Sequence, residues 1–264
     1  MRTRSSFGGR HELGQNFLIH TPTLRTITDL VAATGGEILE IGAGDGALTS
    51  HLARLQRDLT AIDIDERRVA ALRRSMPGVR VEHIDVLRHP LDQPVIVGNI
   101  PYHLTTPILR RLLARGRWQH AILLTQWEVA RKRAGVGGRT MMTAQAAPWF
   151  EFALHGRVPA RGFRPVPSVD GGLLSVRRRP SPLIPLAQRS AYERFVRDVF
   201  TATGRGLPLM LSGATGLQRR AAKAAVARAG IPDDRLPRDL DERQWSALWI
   251  ALGTARGTAL GTAL

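Results

Sequence analysis

Short apolar runs recur at intervals through the first half of the chain, the first four each followed by a glycine, an asparagine or an acid. They are Glu37 to Ile41, Leu59 to Ile64, Val79 to Ile84, Pro94 to Gly98 and Ala121 to Leu124. Between them lie stretches of helical spacing, Ala47 to Gln56, Glu66 to Arg74 and a segment that opens at Thr106-Pro107 and runs to about Arg115. Thr21-Pro22 opens an earlier helix that ends near Val31. A short strand that is apolar throughout must be covered on both faces, and a helix-length crossover is what joins parallel neighbours. The pattern therefore predicts an α/β fold built on a doubly wound, mostly parallel sheet. Two further strands are expected around a proline-rich loop within residues 157–177.

A boundary follows at Arg178-Arg179-Pro180-Ser181-Pro182 and Pro185. Beyond it the spacing is helical over Tyr192 to Thr201, Leu217 to Arg228 and Asp241 to Leu252, the last with Asp241 and Gln244 at capping-box distance. The expected organisation is a basic arm over 1–20, an α/β domain over 21–179, a small all-helical domain over 180–252, and a low-complexity Gly-Thr-Ala tail over 253–264.

Charge narrows the partner. Lys and Arg number 38 against 22 Asp and Glu, a net +16, and such a surface attracts a polyanion through long-range field and counterion release. The absence of cysteine rules out disulfide scaffolds and thiolate chemistry and fits a reducing compartment. No apolar run approaches the roughly 18 to 20 residues of a membrane span, and Gly8 to Glu12 interrupt any secretory apolar stretch. A cytoplasmic protein without a membrane role is expected. His11, His20, His51, His83, His89, His103, His120 and His155 show no metal-ligand spacing, so no metal is expected.

Glu40-Ile41-Gly42-Ala43-Gly44-Asp45-Gly46 lies between the first strand and its helix, where glycines let backbone approach a ligand. The third glycine of a dinucleotide fingerprint is missing, and Glu40 and Asp45 place negative charge where a pyrophosphate would sit. Asp63 and Asp85 stand at the ends of the next two strands, facing the same crevice as Glu40. Carboxylates with a glycine cradle suit S-adenosylmethionine: Asp63 for the ribose hydroxyls, Asp85 for the adenine amine, and the loop for the methionine part. S-adenosylhomocysteine would be the product.

Asn99-Ile100-Pro101-Tyr102 follows the fourth strand. An adenine amine is a weak nucleophile because its lone pair is delocalised into the ring. Acceptors on its two hydrogens, the Asn99 side chain and the Ile100 carbonyl, favour a geometry that aims the lone pair at a methyl group, and Tyr102 can stack on the base.

These segments give the chain a resemblance to the ribosomal RNA adenine-N6 dimethyltransferase family, over roughly His11 to Ala251. Gly14-Gln15-Asn16-Phe17-Leu18 resembles its N-terminal motif, Asn99 to Tyr102 its catalytic motif, and Phe163-Arg164-Pro165-Val166-Pro167-Ser168-Val169-Asp170 its downstream motif. The resemblance implies a Rossmann-like class I methyltransferase domain followed by a helical RNA-binding domain. It implies cofactor contacts from Gln15, Asn16, Leu18, Glu40, Gly42, Ala43, Gly44, Asp63, Ile64, Asp85, Val86 and Asn99. Catalysis would fall to Asn99, Ile100, Pro101, Tyr102 and Phe163, with Phe163 near the target base.

His103, Gly137-Gly138 and Thr203 to Pro208 depart from the small-subunit branch and resemble the macrolide-lincosamide-streptogramin B resistance branch of actinobacterial type, although Asp63 replaces a glutamate common there. The substrate implied is 23S rRNA, modified on one adenine before or during ribosome assembly by a monomer with no obligate protein partner. Arg110, Arg111, Arg115, Arg117, Arg131, Lys132, Arg133 and Arg139 are the basic residues expected near phosphates. The competing readings are a 16S rRNA dimethyltransferase and a catalytically silent nucleic-acid-binding or ribosome-assembly factor, and the intact Gly42, Gly44, Asp85, Asn99 and Tyr102 speak against the latter.

Overall fold

The computed structural model describes residues 16–114 and 117–261, with side chains through Gly253. It opens with β1 (Phe17–Leu18), α1 (Thr21–Ala32), β2 (Ile38–Ile41), α2 (Ala47–Ala53), β3 (Leu59–Asp63), α3 (Glu66–Ser75) and β4 (Arg80–His83). Next come β5 (Val95–Asn99), α4 (Thr105–Ala114), β6 (His120–Gln126), α5 (Trp127–Arg133), α6 (Met141–Ala146), β7 (Phe150–Val158), β8 (Phe163–Arg164) and β9 (Gly171–Arg178). The remainder is helical: α7 (Arg189–Thr201), α8 (Leu207–Thr215), α9 (Arg219–Arg228) and α10 (Glu242–Gly261).

A seven-stranded sheet runs β4-β3-β2-β5-β6-β9-β7. Its first five members pair in parallel, and β9 returns antiparallel on β6, with Leu124 opposite Leu173. Every residue of β2 is buried, as expected for a strand covered on both faces. Leu24, Ile27 and Val31 of α1 and Leu48 and Leu52 of α2 join Ile38, Val95 and Val97 in the main core, while Val69 and Leu72 of α3 pack with Ala61 and Val81. Burial at ~25 cal/mol per Å2 of apolar surface is the main force holding these layers.

The chain divides into two compact units, residues 1–130 with 153–177, and residues 131–152 with 178–264. Residues 131–152, which the proline boundary alone assigns to the α/β domain, thus pack with the helices. The reason is an aromatic and polar anchorage: Tyr192 is buried and donates its hydroxyl to the Ala144 carbonyl at 3.0 Å, Gln145 donates to the Glu193 carbonyl at 2.8 Å, and Trp149 meets Tyr192 edge to face at 5.6 Å. Phe195 and Trp245 continue that aromatic core.

Three segments differ from the apolar spacing. The late strand expected from Arg157 begins at Phe150, because β7 is exposed at every second residue over part of its length and shows no unbroken apolar run. Helix α8 was not legible, since Gly204, Gly206 and Pro208 mask its Leu-rich face. Helix α10 continues through Gly261, past the Leu252 at which spacing alone ends it.

Candidate active site

Strand order reverses at β2, which has β3 on one side and β5 on the other, and a crevice opens beyond the C-terminal ends of β2 and β5. The amides of Gly42 and Ala43 both donate to the Ile62 carbonyl, at 2.9 and 3.1 Å, turning the chain sharply after β2. Gly44 has φ +54°, and a Cβ there would stand 2.9 Å from Cε1 of Phe17. On β5, a Cβ on Gly98 would overlap the Ile41 carbonyl, so the two strands approach closely only because residue 98 is glycine. Sequence spacing marks Gly98 only as a strand end; a glycine inside an apolar strand is the signal that gives it this role.

Asp63, at the end of β3, is buried yet lines the crevice. Its Oδ2 accepts from the Gly44 amide at 2.8 Å and its Oδ1 from the Asp65 amide at 2.9 Å. These bonds tie the glycine loop to the next turn and leave further lone pairs for a ligand. Asn99 ends β5, and its Nδ2 donates to the Asn16 carbonyl at 2.6 Å. With Nδ2 committed, Oδ1 is the acceptor end of the amide. Ile100 donates its backbone N–H to the Leu124 carbonyl at 2.9 Å, which fixes the peptide next to Asn99. The Tyr102 hydroxyl is buried without a hydrogen-bond partner among the described residues, and burial first, then the Asp170 charge, pushes the phenol up to about 12. It stays neutral at physiological pH.

Asn16, Phe17, Gly42, Gly44, Asp63, Asn99, Ile100, Pro101 and Tyr102 line one cleft. Leu18, Glu40, Ala43, Ile64, Asp85 and Val86, also expected at the cofactor, are absent from that lining. Leu18 and Ala43 are buried, Ile64 is exposed, and Val86 is half-buried. Asp85 is half-buried and its Oδ1 accepts from the Leu87 amide at 2.8 Å. Gln15 lies outside the described residues. Phe17, which lines the cleft, was not singled out from sequence because its aromatic ring reads equally as core.

Phe163 is placed differently from the expectation that it approaches the target base. It is 0% exposed and packs in the main core with Leu18, Leu124 and Leu173, and it is absent from the cleft lining. Its register opposite Leu18 explains this: β8 pairs with β1 and turns the ring inward. Its role is to support β1.

Several of the expected phosphate-contacting residues hold protein atoms. Arg111 donates to the His89 carbonyl at 2.6 Å, Arg131 to the Val136 carbonyl at 3.2 Å, and Arg133 to the Thr140 hydroxyl at 2.6 Å. Arg139 pairs with Glu242 at 2.8 Å, which joins α10 to the segment before α6. Arg110, Arg117 and Lys132 are exposed, and Arg115 lies outside the described residues.

Glu40 is buried beneath the glycine loop, and its Oε2 has no donor among the described residues. Burial pushes its carboxyl from 4.5 up to about 8, the Thr49 hydroxyl opposing and the Asp63 charge adding to the rise. An acid whose folded pKa is raised binds its proton more tightly in the native state, so stability is full below about 4.5 and is lost as pH rises towards about 8. Glu40→Gln is therefore expected to flatten that loss. Denaturant midpoints between pH 5 and 8 check it: the variant gains on the parent as pH rises, and parallel curves would contradict the buried, protonated carboxyl.

A family described as "Ribosomal RNA adenine dimethylase" matches residues 6–248. A protein from Corynebacterium diphtheriae named "rRNA adenine N-6-methyltransferase" is 53% identical over 208 residues, 77% of this chain and 82% of that protein. "Mycinamicin-resistance protein MyrB" from Micromonospora griseorubida is 46% identical over 91% of this chain and 78% of its own length. Among solved structures, "Crystal structure of 23S rRNA methyltransferase ErmE" superposes with TM-score 0.81 at 32% identity, covering 90% of this chain and all (100%) of that one. With a family match across most of its length and relatives this similar, the chain belongs to the ribosomal RNA adenine dimethylase family.

Proposed function

We propose that the protein transfers methyl groups from S-adenosylmethionine to N6 of one adenine in 23S rRNA, acting as a cytoplasmic monomer on RNA exposed before or during subunit assembly, and that the modification confers macrolide-type resistance. The observation that carries this reading is the placement of Asn99-Ile100-Pro101-Tyr102 on the same cleft as Gly42, Gly44 and Asp63. The cleft suits the cofactor chemically. Asp63 brings a carboxylate and the described lining residues bring no cation, which favours an amino-bearing sulfonium over a phosphate, and the glycines let the chain approach closely.

When bound, the cofactor supplies an electrophilic sulfonium methyl. Asp63 would hold ribose hydroxyls, Asp85 the adenine amine, and the Gly42 to Gly44 backbone the methionine part. On the substrate side, Asn99 Oδ1 and the Ile100 carbonyl accept the two hydrogens of the target amine. These neutral acceptors gain strength as positive charge develops on nitrogen, which is how fixed dipoles lower a barrier. Neither the Tyr102 phenol, raised to about 12, nor the buried Glu40 is placed to act as a base, so the proton passes to solvent. The target base must leave its stack, at a cost of a few kcal/mol, and Tyr102 offsets part of that by offering a flat face.

Tyr102→Phe keeps the face and loses only a hydroxyl that has no partner, so it is expected to retain most activity. Tyr102→Ala loses stacking of about 1 to 3 kcal/mol, a roughly 5- to 150-fold fall in kcat/KM. Steady-state kinetics on RNA checks both, and equal losses in the two variants would contradict the stacking role.

The exposed Arg110, Arg117 and Lys132 and the net charge of +16 support backbone binding. The whole reading is tested by expression in a macrolide-sensitive bacterium. Tolerance should rise with the parent and not with Asn99→Ala. Unchanged tolerance, with methyl groups found in 16S rRNA instead, would move the protein to the small-subunit branch.

A further inference from the structure

We propose that Arg68 is a positioning residue that latches β1 across the cofactor cleft and slows cofactor release; the proposal rests on the cofactor reading above. Helix α3 is capped by Asp65, whose side chain accepts from the amides of Arg67 and Arg68 at 2.9 and 3.3 Å. This cap puts Arg68 in the first turn, and helical side chains lean towards the N-terminus, here towards the strand ends where the cleft opens. The guanidinium carbon lies 4.3 Å from the centroid of Phe17. The same group is ion-paired with Asp45 of the glycine loop, and its Nε is 3.4 Å from Asp65.

Phe17 is thus held from two sides. Its ring edge occupies the space that a Cβ on Gly44 would need, and its face carries the guanidinium. The neighbouring Leu18 is anchored in the main core and the Ile19 amide donates to the Gly162 carbonyl at 2.9 Å, but the Phe17 ring is only half-buried and lies outside that core. β1 is two residues long and, among the described residues, pairs only with the equally short β8. Yet Phe17 is a wall of the cleft, and the neighbouring Asn16 carbonyl receives the Asn99 amide at 2.6 Å. A half-buried ring at the start of so short a strand, where it walls a ligand site, moves readily unless a side chain pins it.

The ion pair alone is a poor pin. The Asp45 side chain is 63% exposed, and exposed pairs contribute little. What Arg68 adds is a planar cation that stacks on the ring while its edge binds a carboxylate, a combination that the compact ammonium of lysine does not reproduce.

The test is the release rate of labelled S-adenosylmethionine from the full-length protein, chased with unlabelled cofactor in the absence of RNA. Arg68→Ala should release about tenfold faster than the parent, equivalent to ~1.4 kcal/mol. Arg68→Lys should lie nearer to Arg68→Ala than to the parent, Asp45→Asn should change the rate less than either, and melting temperatures should stay close to the parent's. Parental release by a folded Arg68→Ala overturns the latch. Full rescue by Arg68→Lys overturns it too, since charge alone would then suffice. Should Arg68→Ala not fold, Arg68→Lys and Arg68→Met decide the question by the same measure. A parent that binds no cofactor overturns the underlying functional reading, a result distinct from a parent that binds and a variant that releases normally.

Discussion

Asn99→Ala is expected to slow single-turnover methyl transfer by about 10²- to 10³-fold, the usual effect of deleting one preorganised polar group that meets developing charge, and to leave RNA affinity within about threefold. The reason is the division of labour within the amide. Nδ2 is spent on the Asn16 carbonyl at 2.6 Å, so Oδ1 is held as an acceptor before substrate arrives and pays no ordering cost during the reaction. Its interaction with the amine strengthens as nitrogen becomes cationic, and loss of such an interaction appears in the rate of the chemical step. Quenched-flow measurements with labelled cofactor and parallel RNA titrations separate the two quantities. A variant that binds RNA a hundredfold more weakly but transfers methyl at the parental rate would show that Asn99 merely braces the turn before Pro101.

Asp63→Asn should weaken S-adenosylmethionine binding by about 10- to 150-fold, from the ~1.5–3 kcal/mol typical of a hydrogen bond to a charged group. The substitution preserves shape, which makes it a sharper probe than alanine. In the parent both carboxylate oxygens accept from backbone amides, those of Gly44 and Asp65. An asparagine brings an NH2 group against one of these donors, so the glycine loop loses an anchor as well as the negative charge facing the ligand. Calorimetric titration of the folded variant reads the change directly. Unaltered affinity would remove Asp63 from the cofactor site.

Much of this site is legible before any coordinates, for a physical reason. The chemistry sits at the C-terminal ends of parallel strands, and apolar strands announce their ends by the first glycine, acid or asparagine that follows. Gly42, Gly44, Asp63 and Asn99 are all of this kind, and the fold brings them to one cleft. What spacing does not show is direction within an element. Phe163 belongs to a segment read from sequence as resembling a family motif, but whether its ring turns towards ligand or core depends on the pairing of β8 with β1, two elements of two residues each that leave no periodic trace. The same limit hid Phe17 and Arg68, whose partnership spans the distance from β1 to α3. Residues 131–152 lie before the proline-rich boundary yet pack with the helices after it, because their attachment depends on tertiary contacts such as Tyr192 with Ala144, and such a boundary marks only where the chain turns.

The charge account is narrower than composition suggests. Four of the eight basic residues expected to contact phosphates are held by protein acceptors, Arg111, Arg131, Arg133 and Arg139. Arginine in this chain therefore serves partly as structural donor, replacing lysine almost everywhere. RNA affinity should still depend steeply on salt, since each phosphate that the exposed basic residues neutralise releases counterions, and cofactor affinity should not.

The most direct measurement is transfer of labelled methyl groups from S-adenosylmethionine to separated large- and small-subunit RNAs, followed by digestion and mass analysis of the nucleosides. The expected result is label confined to 23S rRNA and recovered as N6-methylated adenosine at a single position. Label on another atom of adenine, on another base, or on 16S rRNA alone would contradict the account.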